Sequence, residues 1–367
     1  MENIKEGGFL FENLGISPEI LGVIQKLHYT VPTLIQQKAI LPCIEGKDLV
    51  GIAQTGTGKT LAFAVPMLQR LMEMKGKIGL VVVPTRELAA QVEETFVKVG
   101  GPLGVRTALL IGGAAMGPQL GAIRRGPHVI IGTPGRINDH LAQRTFTGDT
   151  VAILVLDEAD HMFDMGFLPQ IKDIIAAVPV KRQTLLFSAT MPQEIFTLAS
   201  RHMQTPLRIE IARSGTVADR MDQEIFVITK DQKNRLLEHL LMEYKGSVLI
   251  FCRTKHGAKK LTANIRVMGH SVSEIHSNRS LGQRREALDS FKSGAKRVLV
   301  ATDIAARGID VSGIELVVNY DLPEQAEDYV HRVGRTGRAG REGHAFPMVT
   351  REETKHLRAI ETLIKKD

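Results

Sequence analysis

A loop of small residues that ends in Lys59 and Thr60 has the composition of a phosphate-binding loop. Glycines let backbone N–H groups turn toward phosphate oxygens, and a helix that begins at the lysine adds positive potential. Lys59 can then reach the outer phosphates, while the Thr60 hydroxyl can bind Mg²⁺. The consensus opens with glycine, and Ala53 takes that position here. The pattern predicts binding of a nucleoside triphosphate by Ala53, Thr55, Gly56, Thr57, Gly58, Lys59 and Thr60.

Three acidic residues, Asp157, Glu158 and Asp160, follow an apolar segment about one hundred positions after this loop. In a phosphate-loop protein, a carboxylate at the end of such a strand completes the Mg²⁺ shell, and a second carboxylate orients the attacking water. We therefore assign Asp157 to Mg²⁺, partly through water, and Glu158 to activation of the water. The alternative is an acidic helix N-terminus that the helix dipole favours.

Arg332, Arg335 and Arg338 recur at intervals of three, with glycines between them. On one helix face, three cations repel one another unless an anion lies opposite. The obvious anion is a triphosphate on the first half of the chain, which arginines approach during phosphoryl transfer. A solvated basic helix end is the alternative. Together, the three patterns predict Lys59, Asp157 and Glu158 as catalytic residues and place the arginines opposite the triphosphate.

The elements that must position these residues alternate between apolar strands and amphipathic helices. This alternation predicts an α/β fold with mostly parallel sheets, in which the carboxyl ends of the strands line the ligand crevice. Several predicted strand ends carry small, hydroxylated or basic residues, as in Thr85–Arg86, Gly112–Gly113 and Thr133–Arg136. Small residues let a sugar-phosphate backbone approach, and Thr and Arg donate to its phosphates. The repetition predicts a track for nucleic acid.

The length of 367 residues suits two domains better than one core. Because the periodicity weakens around Pro206–Asp222, we predict a first domain over 1–206, a linker over 207–222 and a second domain over 223–367. The net charge is +7, and nearly all of it comes from residues after 206. A basic second half suits a polyanion such as nucleic acid, although a solvated basic surface explains the charge equally well.

The two cysteines, Cys43 and Cys252, are far apart in sequence and form no metal or redox pattern. They are typical of reduced core thiols, so we expect a reducing compartment, namely the cytoplasm. The sequence has no apolar run of the ~18–20 residues that a transmembrane helix needs, and its first residues are charged rather than signal-like. Membrane insertion and secretion are therefore not expected.

From Phe11 to about Val349, these motifs in this order resemble the core of the DEAD-box ATP-dependent RNA helicases. The resemblance implies two tandem RecA-like domains with a cleft between them, and ATP with Mg²⁺ as cofactors. It assigns adenine recognition to Gln36, with Phe11 as the aromatic residue that stacks on the base and Tyr29 as a weaker candidate. In that family Ala53 is the usual variant of the phosphate loop.

The resemblance also assigns residues of the second domain to the nucleotide. It places Asp310 on the ribose, Arg335 and Arg338 on the γ-phosphate, and Gly308 in the ATP site and near the RNA. The residues that resemble elements coupling hydrolysis to unwinding are Asp160, Ser188, Thr190, His331 and Arg332. The residue types alone indicate that the two hydroxyls flanking Ala189 can bond a carboxylate such as Asp160.

The RNA contacts that the resemblance implies fall on both domains, and they are Pro84, Thr85, Arg86, Gly112, Gly113, Thr133, Gly135, Arg136, Arg253, Thr254, Gln283, Arg284, Thr302 and Asp303. They imply backbone contacts to single-stranded RNA and short duplexes, without sequence preference. One segment, His276–Ser277–Asn278 followed by Leu281, departs from the family pattern. No long basic or glycine-rich tail follows the core, so we expect targeting to come from the core or from a protein partner.

The expected function is RNA-stimulated ATP hydrolysis that drives local, non-processive unwinding of short duplexes or remodelling of RNA–protein complexes. Two other functions fit the same motifs. One is an ATP-locked RNA clamp that nucleates an assembly, and the other is a DNA-directed translocase. Stimulation of the ATPase by RNA and by DNA of the same sequence distinguishes the translocase from the helicase.

Overall fold

The computed structural model describes residues 10–54, 56–211, 221–303, 313–336 and 343–364. They belong to two compact units, Met1–Ala212 and Arg213–Asp367. Four residues with predicted roles, Thr55, Gly308, Asp310 and Arg338, lie outside the described residues. Among the described residues, no helix is both long and apolar enough to span a bilayer.

The first unit opens with a 3₁₀ turn and then alternates helices with strands. The turn is Phe11–Leu14. The helices are α1 (Pro18–Lys26), α2 (Leu34–Ile44), α3 (Lys59–Glu73), α4 (Arg86–Gly100), α5 (Met116–Arg124), α6 (Pro134–Ala142), α7 (Ala159–Asp164), α8 (Leu168–Ala177) and α9 (Gln193–His202). The strands are β1 (Leu49–Ile52), β2 (Ile78–Val82), β3 (Thr107–Leu110), β4 (Val129–Gly132), β5 (Val151–Leu156), β6 (Gln183–Ser188) and β7 (Leu207–Glu210).

These strands form one sheet in the order β3-β4-β2-β5-β6-β1-β7, and every pairing is parallel. Strands β1, β4 and β6 are buried along their whole length, as expected of parallel strands covered on both faces. The order makes β5, β6 and β1 neighbours. Their carboxyl ends therefore bring the acidic residues, Ser188 and the phosphate loop to one edge of the sheet.

The second unit repeats the α/β alternation. Its strands are β8 (Met221–Gln223), β9 (Phe226–Val227), β10 (Val248–Phe251), β11 (Val272–Ile275), β12 (Val298–Ala301), β13 (Leu316–Asn319) and β14 (Gly343–Val349). Its helices are α10 (Lys233–Glu243), α11 (Lys255–Val267), α12 (Leu281–Lys292), α13 (Ala326–Val333) and α14 (Thr354–Ile364), the last preceded by a 3₁₀ turn, Arg351–Glu353.

The second sheet has the order β11-β12-β10-β13-β14-β8, with β9 paired to β14, and all of its pairings are parallel. Because side chains of a strand alternate between the faces of a sheet, β10 serves two cores. Leu249 and Phe251 belong to one apolar cluster, and Val248 and Ile250 belong to the other. The predicted fold class, parallel sheets flanked by helices in two units, is confirmed.

The predicted linker over 207–222 is too long at both ends. Its first residues form β7, whose Leu207 N–H donates to Asp48 O at 2.9 Å, and its last two residues lie in β8. The Asp48 carboxylate also accepts from the backbone N–H groups of Thr184 (2.7 Å) and Gln204 (2.6 Å). This buried side chain fastens the chain that leads into β7 onto the sheet, an attachment that no local pattern signals.

Candidate functional site

The phosphate loop curls around the side chain of Lys59, the first residue of α3. Gly56 and Gly58 have φ angles of +84° and +87°, which glycine adopts without strain. The Lys59 ammonium is buried and donates to Ala53 O at 2.8 Å, and the Thr57 hydroxyl donates to Gln54 O at 2.7 Å. A phosphate would offer this ammonium a charge-assisted acceptor in place of a carbonyl, and such bonds are stronger.

Gln36 joins the start of α2 to the phosphate loop. Its Oε1 accepts from the Thr33 N–H at 2.9 Å within a capping box, and its Nε2 donates to Gly58 O at 3.0 Å. A Cβ on Gly58 would lie 2.4 Å from this Nε2, so a larger residue would displace the amide in addition to straining the backbone at a φ of +87°. An amide has two donor and two acceptor positions, and these bonds use one of each. Recognition of adenine by the remaining positions stays a prediction.

The two aromatic candidates for adenine stacking lie in different surroundings. Phe11 is 3% exposed, whereas Tyr29 is 43% exposed. The segment after Phe11 is bound to α3, because the Gln69 amide accepts from Ser17 N–H at 2.9 Å and donates to Gly15 O at 3.1 Å. Stacking by Phe11 remains a prediction, and it requires a ring face to be uncovered when the base arrives.

Asp157 lies at the end of β5 and is only 2% exposed. Burial raises the pKa of its carboxyl to about 7, although the nearby Lys59 charge lowers it. A buried carboxylate needs a cation to hold its charge. The donor set of one carboxylate and the Thr60 hydroxyl suits Mg²⁺, which is bound by few protein oxygens together with water and substrate phosphates.

Glu158 adopts a left-handed backbone conformation (φ +53°, ψ +52°), which is rare for a residue with a side chain. Such conformations concentrate at functional sites. The buried Glu158 carboxylate lies 3.3 Å from the ring Nδ1 of His161. Sequence reasoning missed His161. Its position three residues after Glu158 in the first turns of a helix is the signal that could have found it.

Asp160 is bonded to the segment that follows β6. Its Oδ2 accepts from the Thr190 hydroxyl (3.0 Å) and from the N–H groups of Thr190 (2.8 Å) and Ala189 (3.1 Å). The prediction that a hydroxyl here bonds this carboxylate is confirmed for Thr190. Ser188 acts differently, because its hydroxyl accepts from the Asp160 N–H at 3.1 Å and its carbonyl accepts from the Ala53 N–H at 2.9 Å. Ser188 therefore contacts both the acidic segment and the phosphate loop.

Three of the predicted RNA-contact segments of the first unit converge on the loop between β3 and α5. The guanidinium of Arg86 lies against Gly113, where a Cβ would be 2.1 Å from its Nη1. Gly113 has a φ of +74°, so a larger residue there would strain the backbone and would also displace the guanidinium. Arg136 Nη1 donates to Ala114 O at 3.1 Å. Thr85 caps α4 by accepting from the Leu88 N–H at 3.2 Å, which fixes where Arg86 begins its helix.

In the second unit, the anion opposite Arg332 is Asp303. Arg332 is 2% exposed, and its Nε and Nη2 donate to the two Asp303 oxygens at 2.5 and 2.7 Å. Nη1 donates to Asn319 Oδ1 (2.9 Å) and Asp321 O (2.6 Å), and the guanidinium lies 5.0 Å from the centre of the Phe251 ring. The expectation that a triphosphate balances this cation is corrected, since an internal carboxylate does so.

Arg335 does not share a helix with Arg332, contrary to the expectation from their spacing. Helix α13 ends at Val333, and Gly334 and Arg335 follow in a turn. Arg335 is buried, and its Nε donates to His331 O at 3.2 Å. Contact of Arg335 with a γ-phosphate, and an interface role for His331, stay predictions.

Two predicted RNA contacts of the second unit follow β10. Arg253 donates from Nη2 to Glu353 Oε1 at 2.7 Å, and its N–H donates to Asp321 Oδ2 at 3.0 Å. Thr254 caps α11 by accepting from the Gly257 N–H at 3.0 Å. Both residues are exposed.

The remaining predicted contacts of this unit lie at the starts of helices and ends of strands. Gln283 is the third residue of α12, and its Oε1 accepts from the Ser280 N–H at 3.0 Å in a capping box. Arg284 and Thr302 are buried. In the segment that departs from the family pattern, His276 Nδ1 accepts from the Asn278 N–H at 3.3 Å.

Comparison with known proteins agrees with these features. Residues 33–198 match the family model of the DEAD/DEAH box helicases, and residues 232–340 match that of the helicase conserved C-terminal domain. The chain is 41% identical to an ATP-dependent rRNA helicase of Meyerozyma guilliermondii, over 96% of the chain and 75% of the relative. It is 40% identical to the Saccharomyces cerevisiae protein of the same name, over 97% and 72%.

Two solved structures are similar to the whole chain. S. cerevisiae Dbp5 bound to RNA and ADP BeF3 gives a TM-score of 0.87 at 29% identity, over 98% of this chain and 94% of that one. A DEAD box protein from Methanococcus jannaschii gives a TM-score of 0.57 at 36% identity, over 98% of both chains.

Proposed function

Since the chain belongs to the DEAD-box family of ATP-dependent RNA helicases, we propose how its own residues divide the work of RNA-stimulated ATP hydrolysis. Three segments at the carboxyl edge of the first sheet carry this proposal. The phosphate loop follows β1, Asp157 and Glu158 follow β5, and Ser188 at the end of β6 accepts from the N–H groups of Ala53 in the loop and of Asp160 in the acidic segment. A nucleotide that binds the loop therefore places its phosphates beside the two carboxylates.

In this proposal Lys59 binds the outer phosphates, and Thr60 and Asp157 hold Mg²⁺. When bound, the ion neutralises charge that develops on the transferred phosphoryl group. Glu158 orients the attacking water and takes its proton, because its backbone conformation and its contact with His161 fix the carboxylate beside Asp157. Gln36 and Phe11 contribute adenine selectivity.

In this proposal the second unit supplies the remaining residues that act on the nucleotide. Arg335 and Arg338 stabilise the charge on the γ-phosphate, as arginine fingers do in related chemistry. Asp310 contacts the ribose. Arg332 supports this step indirectly, because its bonds to Asp303 and Asn319 hold the start of the arginine segment against β12 and β13.

In this proposal both units contribute RNA contacts, through phosphates and 2′-hydroxyls. Binding with ATP bends a single strand into a form that an A-form duplex cannot adopt, so a few base pairs separate, and hydrolysis releases the strand. Contacts of this kind give little sequence preference and a steep dependence on salt. The rRNA helicases among the relatives make structured ribosomal RNA the substrate class to test first.

The deciding experiment compares ATPase stimulation by an RNA and by a DNA of the same sequence. A helicase of the proposed type is stimulated by the RNA and not by the DNA. Equal stimulation by both supports the translocase. Stimulation by RNA without strand separation, in an assay with a short labelled duplex, supports the clamp.

We also propose that the protein works in the cytoplasm. Cys43 and Cys252 are both buried and unpaired. Burial raises the pKa of Cys43 to about 12 and that of Cys252 further, so both remain neutral thiols. Two unpaired core thiols fit a reducing compartment. Fractionation of cells that express the tagged protein tests this location.

A further inference from the structure

One buried side chain, which the sequence analysis did not assign to any role, bonds to both ends of the loop between β3 and α5. Gln119, in α5, is 4% exposed. Its Oε1 accepts from the Ile111 N–H at 3.2 Å, and its Nε2 lies 3.2 Å from Ile111 O and 3.1 Å from Ala115 O. Ala115 precedes α5 and has no polar side chain to cap it. The amide instead bonds both ends of the loop, Ile111 at its start and Ala115 at its end.

The same amide is joined to α6. His140, fully buried in the last turn of α6, has Nε2 3.3 Å from Gln119 Oε1 and Nδ1 2.8 Å from Thr145 Oγ1. Because Gln119 Oε1 can only accept, the ring must carry its hydrogen on Nε2. Nδ1 then faces the Thr145 hydroxyl as an acceptor, and the same hydroxyl also lies within donating distance of His140 O, at 3.1 Å.

The charge state of the ring agrees with this arrangement. Burial lowers the pKa of His140, the nearby Arg136 lowers it further, and Asp139 opposes the shift. A neutral imidazole has one donor and one acceptor, which is what Gln119 and Thr145 require. We call these three side chains, Gln119, His140 and Thr145, the loop clamp.

The loop clamp connects two segments with predicted RNA contacts. One is the loop with Gly112 and Gly113, and the other is α6, which the clamp reaches at its last turn through His140 and whose first turn carries Gly135 and Arg136. Arg136 reinforces the connection through its bond to Ala114 O. Both segments must keep a fixed separation to follow successive phosphates of one strand.

We propose that Gln119 and His140 are positioning residues for RNA, which set the separation between the Gly112–Gly113 loop and the N-terminus of α6. The proposal rests on the function proposed above. Neither side chain touches RNA, because both are buried. Replacing them leaves the phosphate-binding groups present but displaced, so RNA affinity falls although every side chain that touches RNA is kept.

The test measures binding of a fluorescein-labelled oligouridine in the presence of a non-hydrolysable ATP analogue, with the full chain and at several salt concentrations. Gln119→Leu removes every bond of the amide, and Thr145→Val removes only the hydroxyl at the far end. Gln183→Leu is the matched control. Gln183 is also a buried glutamine of the first unit whose Nε2 donates to backbone carbonyls, those of Cys43 (2.9 Å) and Lys47 (2.7 Å).

We expect Gln119→Leu to weaken RNA binding about tenfold, the equivalent of one good hydrogen-bonded contact. The slope of log affinity against log salt should become shallower by about 0.7 for each RNA phosphate that the protein no longer neutralises. A purely structural defect lowers thermal stability and leaves this slope unchanged, which is the expected behaviour of Gln183→Leu. His140→Gln restores a donor toward Gln119 and should bind RNA better than His140→Leu does.

Three results overturn the proposal. In the first, Gln119→Leu changes affinity and slope no more than Gln183→Leu does at an equal loss of thermal stability. In the second, His140→Gln and His140→Leu bind RNA equally well. In the third, Thr145→Val leaves the slope at the wild-type value; this variant keeps the side-chain volume and so serves if Gln119→Leu fails to fold. A wild-type chain that does not bind RNA at all refutes instead the proposed function.

Discussion

The hydroxyl of Thr190 donates to Oδ2 of Asp160 at 3.0 Å, so the segment after β6 is bonded to the acidic segment after β5. Two backbone N–H groups reach the same oxygen. Three donors of the segment after β6 therefore hold the Asp160 carboxylate. One of them, the Thr190 hydroxyl, can be removed by mutation.

Thr190→Val removes only the side-chain donor and keeps the side-chain volume. It should reduce the number of duplexes separated per ATP hydrolysed, because it weakens the connection between the two segments. We expect the ATPase rate to stay within about threefold of wild type, since two backbone donors still hold the Asp160 carboxylate. Parallel ATPase and unwinding assays measure the ratio. Thr197→Val, which removes an exposed hydroxyl bonded to Gln193 O in α9, is the control. An unchanged ratio in Thr190→Val contradicts the coupling role.

Glu158→Gln should lower ATP turnover about 100-fold or more, because an amide cannot accept the proton of the attacking water. The side chain keeps its size, so ATP-dependent RNA binding should persist. Steady-state ATPase assays and RNA binding with ATP give the two readouts. If RNA-stimulated hydrolysis survives the change, the role assigned to Glu158 is wrong.

Gln36→Ala should raise the KM for ATP about tenfold, because the change removes the bond to Gly58 O and the proposed bonds to adenine. The preference for ATP over other nucleoside triphosphates should fall in parallel. Gln37→Ala is the matched control, since its neighbouring amide donates to Pro32 O at 2.8 Å and not to the phosphate loop. Equal KM values for the two variants would exclude the assigned role of Gln36.

Arg332→Met should destabilise the second unit by about 3 kcal/mol, because it leaves the Asp303 carboxylate without its cation. The double variant Asp303→Asn with Arg332→Met should lose less, since it leaves no unpaired charge. Hydrogen exchange of β12 and α13 in the full chain, at increasing urea concentration, reports this unit separately from the first. A double variant less stable than the single one would show that the ion pair is not the source of the loss.

The first unit should become less stable as the pH is lowered, because of the titration of His140. Burial lowers the pKa of this ring below its ordinary value of 6.5. The unfolded chain therefore binds the proton more readily than the folded one, and the free energy of unfolding decreases as the pH falls below about 6.5, until the folded pKa is reached. Urea unfolding of wild type and His140→Gln at pH 7.5 and 5.5 isolates this contribution. Equal pH dependence in both would contradict it.

Much of the first unit could be predicted because its strands are unbroken apolar runs. Leu49–Ile52 and Val151–Leu156 begin and end in the structure where the sequence places them. Strand β7 was missed because its alternation of apolar and polar residues, Leu207–Glu210, is only four residues long. An edge strand of this kind is fixed by pairing with β1, a contact between distant parts of the chain.

The chemistry of the site divides in the same way. Lys59 and Asp157 could be found because local motifs bring them to strand ends. The Arg332–Asp303 pair could not be found, since it joins residues 29 positions apart. Gln119 and His140 were missed because one polar residue inside an amphipathic helix does not change its periodicity. Only the tertiary structure shows that the two side chains meet.

Gly113 limits the substitutions that this chain can accept over evolutionary time. A hydrogen atom is the whole side chain at that position, and the guanidinium of Arg86 occupies the space that even a methyl group would need. A methyl group at 113 would displace the end of a flexible side chain, but the left-handed backbone at 113 would stay strained whichever residue stood at 86. Among descendants of this chain, substitutions at 113 should therefore be rare even where residue 86 has changed.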